Sequence, residues 1–140
     1  MQTLRQIEFA LFDLSIHKHS SALNAEQVQA TLDDIRQKYA VAPTASYNRF
    51  QHSFSHIFAG GYAAGYYSYK WAEVLASDAF DRFENEGVFN TTTGKQFREN
   101  ILAVGGKDKA LDAFINFRGR EPKIDALLRH QGWTNRSKNA

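Results

Sequence analysis

The sequence predicts an all-α protein, a single helical domain of about six or seven helices. Apolar residues recur at intervals of three and four along most of the chain, which is the period of a helix with one buried face. Residue types that usually begin or end helices, chiefly glycine, proline, asparagine and threonine, separate these segments. No stretch of the sequence alternates apolar and polar residues as a half-buried strand does. With 140 residues, 43% of them hydrophobic, the chain is long enough to form a core.

The first predicted helix, residues 1–16, is apolar on several sides. Its apolar residues form one stripe of four and a further three that lie off the stripe: Leu4, Ile7, Leu11 and Leu14, then Phe9, Phe12 and Ile16. A helix that is apolar around most of its circumference is normally buried on several sides. We therefore expect it to be the central helix of a compact bundle, or to need cover from the rest of a larger protein or from self-association.

The second predicted helix spans residues 25–39. Asn24 is the residue type that caps a helix N-terminus, and Glu26 in the first turn is favourable to the helix dipole. The helix ends before Pro43, because proline disfavours helical backbone at the residue before it. The stretch 44–58 carries phenylalanines at intervals of four and is predicted to be either a short helix or an irregular aromatic segment.

Four more helices are predicted in the second half of the chain. They extend from about 63 to 84 or 86, from one of the threonines 91–93 to 103 or 104, from 109 to 117 and from 124 to 130. Glycines at 87, 105–106 and 132 supply the stops. Asp108 is the expected cap of the helix 109–117, and Phe80 and Leu111 are expected to point inward. Residues 134–140 are predicted to be a loose tail.

The turn Arg118-Gly119-Arg120-Glu121-Pro122 carries two arginines. They are suited either to clamping a carboxylate of a ligand or to forming salt bridges at a helix junction, and we favour the junction.

Composition excludes several classes of protein. A formal charge of +2, with basic residues dispersed among acidic ones, argues against a nucleic-acid partner. The absence of cysteine excludes disulfides and thiolate metal sites. No apolar run reaches the roughly 20 residues of a membrane helix, and the first residues lack the pattern of a secretory signal. We expect a soluble, cytoplasmic protein with no membrane partner.

The most distinctive segment is residues 55–71, SHIFAGGYAAGYYSYKW. The pair Gly60-Gly61 predicts a loop. The aromatic residues after it recur at helical spacing, with Tyr62, Tyr66 and Tyr69 on one face and Tyr67 and Trp71 on the other, where we expect the core. Phenol hydroxyls in a row can donate hydrogen bonds to a substrate carbonyl or an oxyanion, although tyrosines at this spacing more often pack in a core or an interface.

The segment from His56 to Trp71 resembles the C-terminal part of the thimet oligopeptidase family of zinc metallopeptidases. The likeness extends from LRQIEFALFD at residues 4–13 to FRGREP at 117–122 and weakens after Trp133. It implies that residues 1–140 are the C-terminal segment of an oligopeptidase catalytic domain, which acts on short peptide substrates. Within that segment it distinguishes the apolar helix 1–16 and the glycine–tyrosine loop and helix 55–86.

The resemblance also implies roles for individual residues. Tyr69 matches the tyrosine that supports the tetrahedral intermediate, and Tyr62 matches a substrate-contacting tyrosine on a mobile loop. His56 matches a histidine of bacterial members that faces the site. The implied catalytic residues are therefore Tyr69, Tyr62 and His56, and the implied substrate-binding residues are Gly60, Gly61, Tyr62 and Tyr66.

The zinc ligands of that family lie on a His-Glu-x-x-His helix and a further glutamate, upstream of the matched region. This sequence contains no His-Glu-x-x-His. His52 and His56, four residues apart, have no acidic neighbour to complete a site. We therefore expect no metal-binding residues in this chain, zinc only in the full-length enzyme, and no activity without the upstream zinc-binding part. The alternative function is a non-catalytic all-α module for peptide binding or assembly.

Overall fold

The computed structural model describes residues 2–134, which form six α-helices and no strand. The helices are α1 (Gln2–His17), α2 (Ala25–Tyr39), α3 (Ser68–Glu86), α4 (Thr91–Phe97), α5 (Ala110–Arg118) and α6 (Asp125–His130). Short 3₁₀ turns at Phe50–His52 and Ser55–Ile57 precede α3, and a π-helical turn, Arg98–Leu102, follows α4. The predicted all-α class is confirmed. Residues 135–140 of the predicted tail lie outside the described residues.

The chain divides into two compact units, Met1–Lys70 and Trp71–Ala140. We call them the first and the second unit. Each has a hydrophobic cluster of its own. Among the described residues, none of the helices combines the length and the apolar character needed to cross a membrane.

The core of the first unit is aromatic and forms around α1. Its buried members are Phe9, Phe12, Leu32, Ile35, Phe54, Ile57 and Tyr66. The ring of Phe9 stacks on that of Phe50 with centroids 4.3 Å apart. Large rings bury more apolar area than aliphatic side chains do, so the phenylalanine side of α1 turns inward.

The burial of α1 agrees with one of the two alternatives and differs from the predicted stripe. Phe12 is fully buried and Phe9 nearly so, as expected for a central helix, and neither needs cover from outside the chain. The predicted stripe is not the buried face: Leu4, Ile7 and Leu11 are half-buried, and Leu14 is exposed.

Helix α2 has the predicted bounds and the predicted cap. The Asn24 side chain accepts from the Gln27 amide at 2.8 Å, and the Gln27 side chain accepts from the Asn24 amide at 2.9 Å. This reciprocal pair satisfies two amides that the helix leaves unpaired. Arg36 of α2 binds Glu8 of α1 at 2.9 Å.

The second unit contains most of α3 and all of α4–α6. Ala79, Phe114 and Phe117 form its buried cluster. Phe80 and Leu111, expected to be buried, are exposed. The predicted caps also differ. Asn90 caps α4 in place of a threonine, and α5 begins after Lys109 with no side-chain cap from Asp108. Asn90 supplies the cap because its amide oxygen reaches the amides of residues 92 and 93.

The arginine turn after α5 forms salt bridges within the second unit, as favoured from the sequence. Arg118 binds Asp81 at 2.9 Å and Arg120 binds Asp78 at 2.6 Å. The amide of Lys123 donates to Asp78 as well, at 2.7 Å. Burial acts to raise the pKa of Asp78, but these hydrogen bonds and charges outweigh it, so the pKa lies below its ordinary value.

Candidate functional site

The glycine loop of the first unit is closed against the backbone of His56. The Tyr62 amide donates to the His56 carbonyl at 3.0 Å. A Cβ built on Gly60 would lie 2.7 Å from the His56 Cα and 2.9 Å from its carbonyl oxygen, and Gly61 has a φ of +78°. The loop therefore requires glycine at 60 for space and favours it at 61 for conformation.

The helix after the loop begins at Ser68, five residues later than predicted. Residues 63–67 form turns, in which Ala64 has a φ of 53° that interrupts any helical path. The predicted face assignment is wrong as a result. Tyr67 and Trp71 are half-exposed rather than core residues, whereas Tyr66 is 9% exposed.

The side chains of His56, Tyr62, Tyr66 and Tyr69 nevertheless meet, and we call them the tyrosine cluster. The rings of Tyr62 and Tyr69 stack with centroids 4.9 Å apart, and that of Tyr66 lies 5.1 Å from Tyr69. The His56 ring is 5.9–6.5 Å from all three. The sequence thus predicted which residues lie together, although it placed the tyrosines on one helix. Their catalytic and substrate-binding roles remain predictions.

The tyrosine hydroxyls of the cluster differ in their surroundings. The Tyr66 hydroxyl donates to the side-chain oxygen of Gln6 on α1 at 3.1 Å, and burial raises the pKa of Tyr66. Tyr69 is 40% exposed. The pKa of Tyr69 lies above its ordinary value, mainly because of a hydrogen bond with Tyr62 and to a smaller extent because of desolvation. The Tyr69 phenol therefore stays protonated, and can donate, at neutral pH.

Sequence reasoning missed Asp13 of α1, whose side chain binds the backbone of residues 64–66. Its side chain is fully buried. Oδ1 accepts from the Ala64 amide and Oδ2 from the Tyr66 amide, each at 2.9 Å. His17 Nδ1 lies 2.8 Å from Oδ1. The signal in the sequence was an acidic residue directly after Phe12, the one charged residue in the stretch 9–16.

The described residues do not fit a zinc ion. No group of three or more His, Cys, Asp or Glu side chains within residues 2–134 is placed to hold a metal. His52 and His56 lie on separate 3₁₀ turns rather than on one helical face. We therefore derive no metal chemistry from these residues.

The chemistry available to the tyrosine cluster is hydrogen-bond donation. Neutral phenols beside an exposed imidazole and an open glycine loop can bind carbonyl oxygens of an extended peptide. Donors fixed before a reaction stabilise negative charge that develops on such an oxygen. These features define an all-α protein with a tyrosine-rich donor surface beside a glycine loop.

Comparison with known proteins gives the family. The profile of peptidase family M3 matches residues 1–133. The chain is 55% identical over 129 residues to oligopeptidase A of Escherichia coli (strain K12), covering 92% of this chain and 19% of that protein. Oligopeptidase A of Haemophilus influenzae is 53% identical over 96% of this chain and 20% of its own length. The probable cytosolic oligopeptidase A of Arabidopsis thaliana is 49% identical over 93% and 19%.

The chain therefore belongs to peptidase family M3. It spans about a fifth of the length of the curated relatives it matches. A match at about half identity over nearly the whole chain includes the glycine loop and the tyrosine cluster.

Proposed function

We propose that this chain is the C-terminal portion of the catalytic domain of a zinc-dependent oligopeptidase. In that enzyme it forms the wall of the active site that binds a short peptide and stabilises the transition state. The observation that carries the proposal is the meeting of His56, Tyr62 and Tyr69 beside Gly60-Gly61, with Tyr69 open to solvent. Membership of peptidase family M3 supports it.

In this proposal each residue has a distinct role. The Tyr69 hydroxyl donates to the oxyanion that forms from the scissile carbonyl. Tyr62, which follows the glycines, contacts the peptide and contributes to the transition state. His56 presents its exposed ring at the same place. Gly61 carries no side chain in the path of the peptide backbone, and Gly60, whose Cβ would meet His56, lets the loop that borders the peptide close.

Tyr66 contributes mainly as a support, although it was predicted to bind substrate. Its ring is buried between Phe54, 4.8 Å away, and Tyr69, and its hydroxyl donates to Gln6. We propose that the substrate meets only its ring edge.

The physical chemistry favours phenols for these roles. Neutral donors are cheaper to desolvate than charged ones when a peptide covers the site. The raised pKa of Tyr69 keeps its proton in place. Loss of one such donor typically lowers the rate by about 10²–10³.

The proposal places the zinc ion and its ligands in another part of the enzyme, because the described residues provide no suitable group. The partners of this chain are accordingly the upstream zinc-binding part of the domain and short peptides, and we place the enzyme in the cytoplasm. The alternative function is that of a non-catalytic module that binds peptides or takes part in assembly.

Zinc analysis and peptide hydrolysis distinguish the two functions. The chain is prepared in two forms, one alone and one joined to the upstream part of the enzyme. Each form is analysed for bound zinc and assayed for hydrolysis of a short quenched peptide. We expect no stoichiometric zinc and no hydrolysis for the chain alone, and both for the joined form. One tightly held zinc per chain, with hydrolysis by the chain alone that a chelator abolishes, would overturn this division of roles. A joined form that binds the peptide without cleaving it would favour the non-catalytic module.

A further inference from the structure

We propose that Asp13 is a positioning residue for the tyrosine cluster. Its carboxylate fixes the backbone of residues 64–66 and so determines where Tyr62 and Tyr69 present their hydroxyls. The consequence for catalysis rests on the function proposed above, whereas the anchoring itself is a property of the fold that can be measured separately.

The two carboxylate oxygens of Asp13 hold two different points of the segment. Oδ1 binds the amide of Ala64 and Oδ2 that of Tyr66, both at 2.9 Å. Charge-assisted bonds of this kind are about twice as strong as neutral ones. His17 Nδ1, one turn further along α1, lies 2.8 Å from Oδ1 and 2.9 Å from the main-chain carbonyl oxygen of Asp13.

These bonds reach the proposed catalytic tyrosines through the backbone. The Gly65 amide, between the two anchored residues, donates to the Tyr62 carbonyl at 2.8 Å. The Tyr69 amide donates to the Tyr66 carbonyl at 3.3 Å. A shift of residues 64–66 therefore moves both Tyr62 and Tyr69.

The conformation held by Asp13 is one that the segment would not adopt unaided. Ala64 is the one non-glycine residue with a positive φ in the described range 2–134. A left-handed conformation is unfavourable for a residue with a Cβ, because the Cβ comes too close to the following carbonyl oxygen. Such conformations persist only where the surroundings impose them.

The burial of Asp13 also argues for more than packing. Removing a carboxylate from water is costly, and apolar side chains of similar size usually serve stability as well or better. Asp13 is fully buried, and its two hydrogen bonds to the amides of Ala64 and Tyr66 explain why this position holds an aspartate rather than an apolar residue.

The test begins with the whole enzyme in its native form. Residue-resolved hydrogen exchange should show the amides of Ala64 and Tyr66 protected relative to an unstructured chain. Exchange at both amides at the unstructured rate would overturn the proposal without any variant having to fold.

The informative variant is Asp13→Asn, which keeps the shape but replaces one acceptor by an NH₂ group, so one of the two amides faces a donor. Exchange at Ala64 and Tyr66 should become at least 10-fold faster, with the amides of α2 unchanged. We expect kcat to fall by about 10–10²-fold, with KM within a few-fold, because small displacements of catalytic groups have effects of that size. Uniformly faster exchange through α1 and α2 would mean general destabilisation and would overturn the proposal.

The double variant Asp13→Asn/Tyr69→Phe tests whether Asp13 acts through the tyrosines. If it does, the double variant is about as slow as the slower single variant, whereas independent effects multiply. Multiplying losses overturn the positioning role. Asp34→Asn, at an exposed ion pair with Lys38 on α2, is the control and should leave kcat unchanged.

The two proposals fail in different ways. If Tyr69→Phe leaves kcat unchanged, the catalytic function assigned to the tyrosine cluster is wrong, while the exchange data still decide whether Asp13 anchors the segment. If Tyr69→Phe is slow but Asp13→Asn is as fast as the wild type, the catalytic function stands and the positioning role is wrong.

Discussion

The rings of Tyr62 and Tyr69 stack with their centroids 4.9 Å apart and an interplanar angle of 27°. One phenol comes from the glycine loop and the other from the first turn of α3. The neighbouring Tyr62 raises the pKa of Tyr69, so the Tyr69 phenol keeps its proton more firmly than an isolated tyrosine does.

Removing the Tyr62 hydroxyl should lower the pKa of Tyr69. The hydrogen bond is the largest cause of the upward shift, so in Tyr62→Phe the pKa of Tyr69 should return toward its ordinary value near 10. Titration of ¹³Cζ-labelled tyrosine by NMR measures it. Tyr47→Phe, at an 84% exposed ring outside the cluster, should leave it unchanged. A Tyr69 pKa that stays the same or rises in Tyr62→Phe would show that the shift has another origin.

Gly60→Ala should displace the loop. The added methyl would meet backbone atoms of His56 at 2.7 and 2.9 Å, and a backbone atom cannot move aside as the end of a side chain can. We expect a destabilisation of about 1–3 kcal/mol, typical of overpacking, and a fall in kcat of at least 10-fold. Urea unfolding and steady-state kinetics measure the two effects.

Gly94→Ala in α4 is the matched control. A Cβ there meets no atom within 4 Å, and the φ is not positive. Replacing glycine by alanine inside a helix typically stabilises it by about 1 kcal/mol. Kinetics equal to wild type are expected. If Gly60→Ala behaves in the same way, the close approach to His56 is not needed for the site.

The sequence was informative where the signal is local. Asn24 and Gln27 form the predicted cap because both partners lie within one turn. The residues of the tyrosine cluster also lie in one short segment, since the glycine pair brings His56 back to Tyr62 over six residues. Their roles were implied by the family resemblance and remain predictions.

What the sequence did not reveal depends on distant contacts. The bonds from Asp13 to Ala64 and Tyr66 span 51 and 53 residues, and helical spacing cannot show them. Those bonds hold 63–67 out of the helix, and the delayed start at Ser68 turns Tyr67 outward. The buried face of α1 was misjudged for a related reason, because its phenylalanines pack against rings from residues 50–54.

Asp78→Ala should strongly destabilise the second unit. The Asp78 side chain is 1% exposed and pairs with Arg118 and Arg120, so its removal takes away the carboxylate that Arg120 binds and leaves Arg118 with Asp81 alone. Breaking a buried pair in this way typically costs about 3–5 kcal/mol. Both tryptophans lie in the second unit, so tryptophan fluorescence during urea unfolding reports it. Lys95→Ala, which breaks an exposed pair with Glu99, should change stability by less than about 0.5 kcal/mol.

Acid should remove the contribution of Asp78. A carboxylate with a lowered pKa in the folded state stabilises the fold above its unfolded pKa of about 3.9, and this contribution is lost as the pH falls through the folded pKa. The free-energy difference between wild type and Asp78→Ala should therefore shrink between about pH 5 and pH 2. A difference that is constant over this range would show that Asp78 contributes by packing rather than by charge.

The most direct test of the proposed function compares Tyr69→Phe with Tyr67→Phe in the complete zinc-loaded enzyme. Each variant removes one hydroxyl and keeps the ring. Tyr69 belongs to the tyrosine cluster and Tyr67 does not. If the Tyr69 hydroxyl donates to the oxyanion, kcat for a short peptide falls by about 10² or more in Tyr69→Phe while KM stays within a few-fold. Tyr67→Phe should then remain close to wild type. Equal, small effects of the two substitutions would contradict a catalytic role for the tyrosine cluster and leave it as packing.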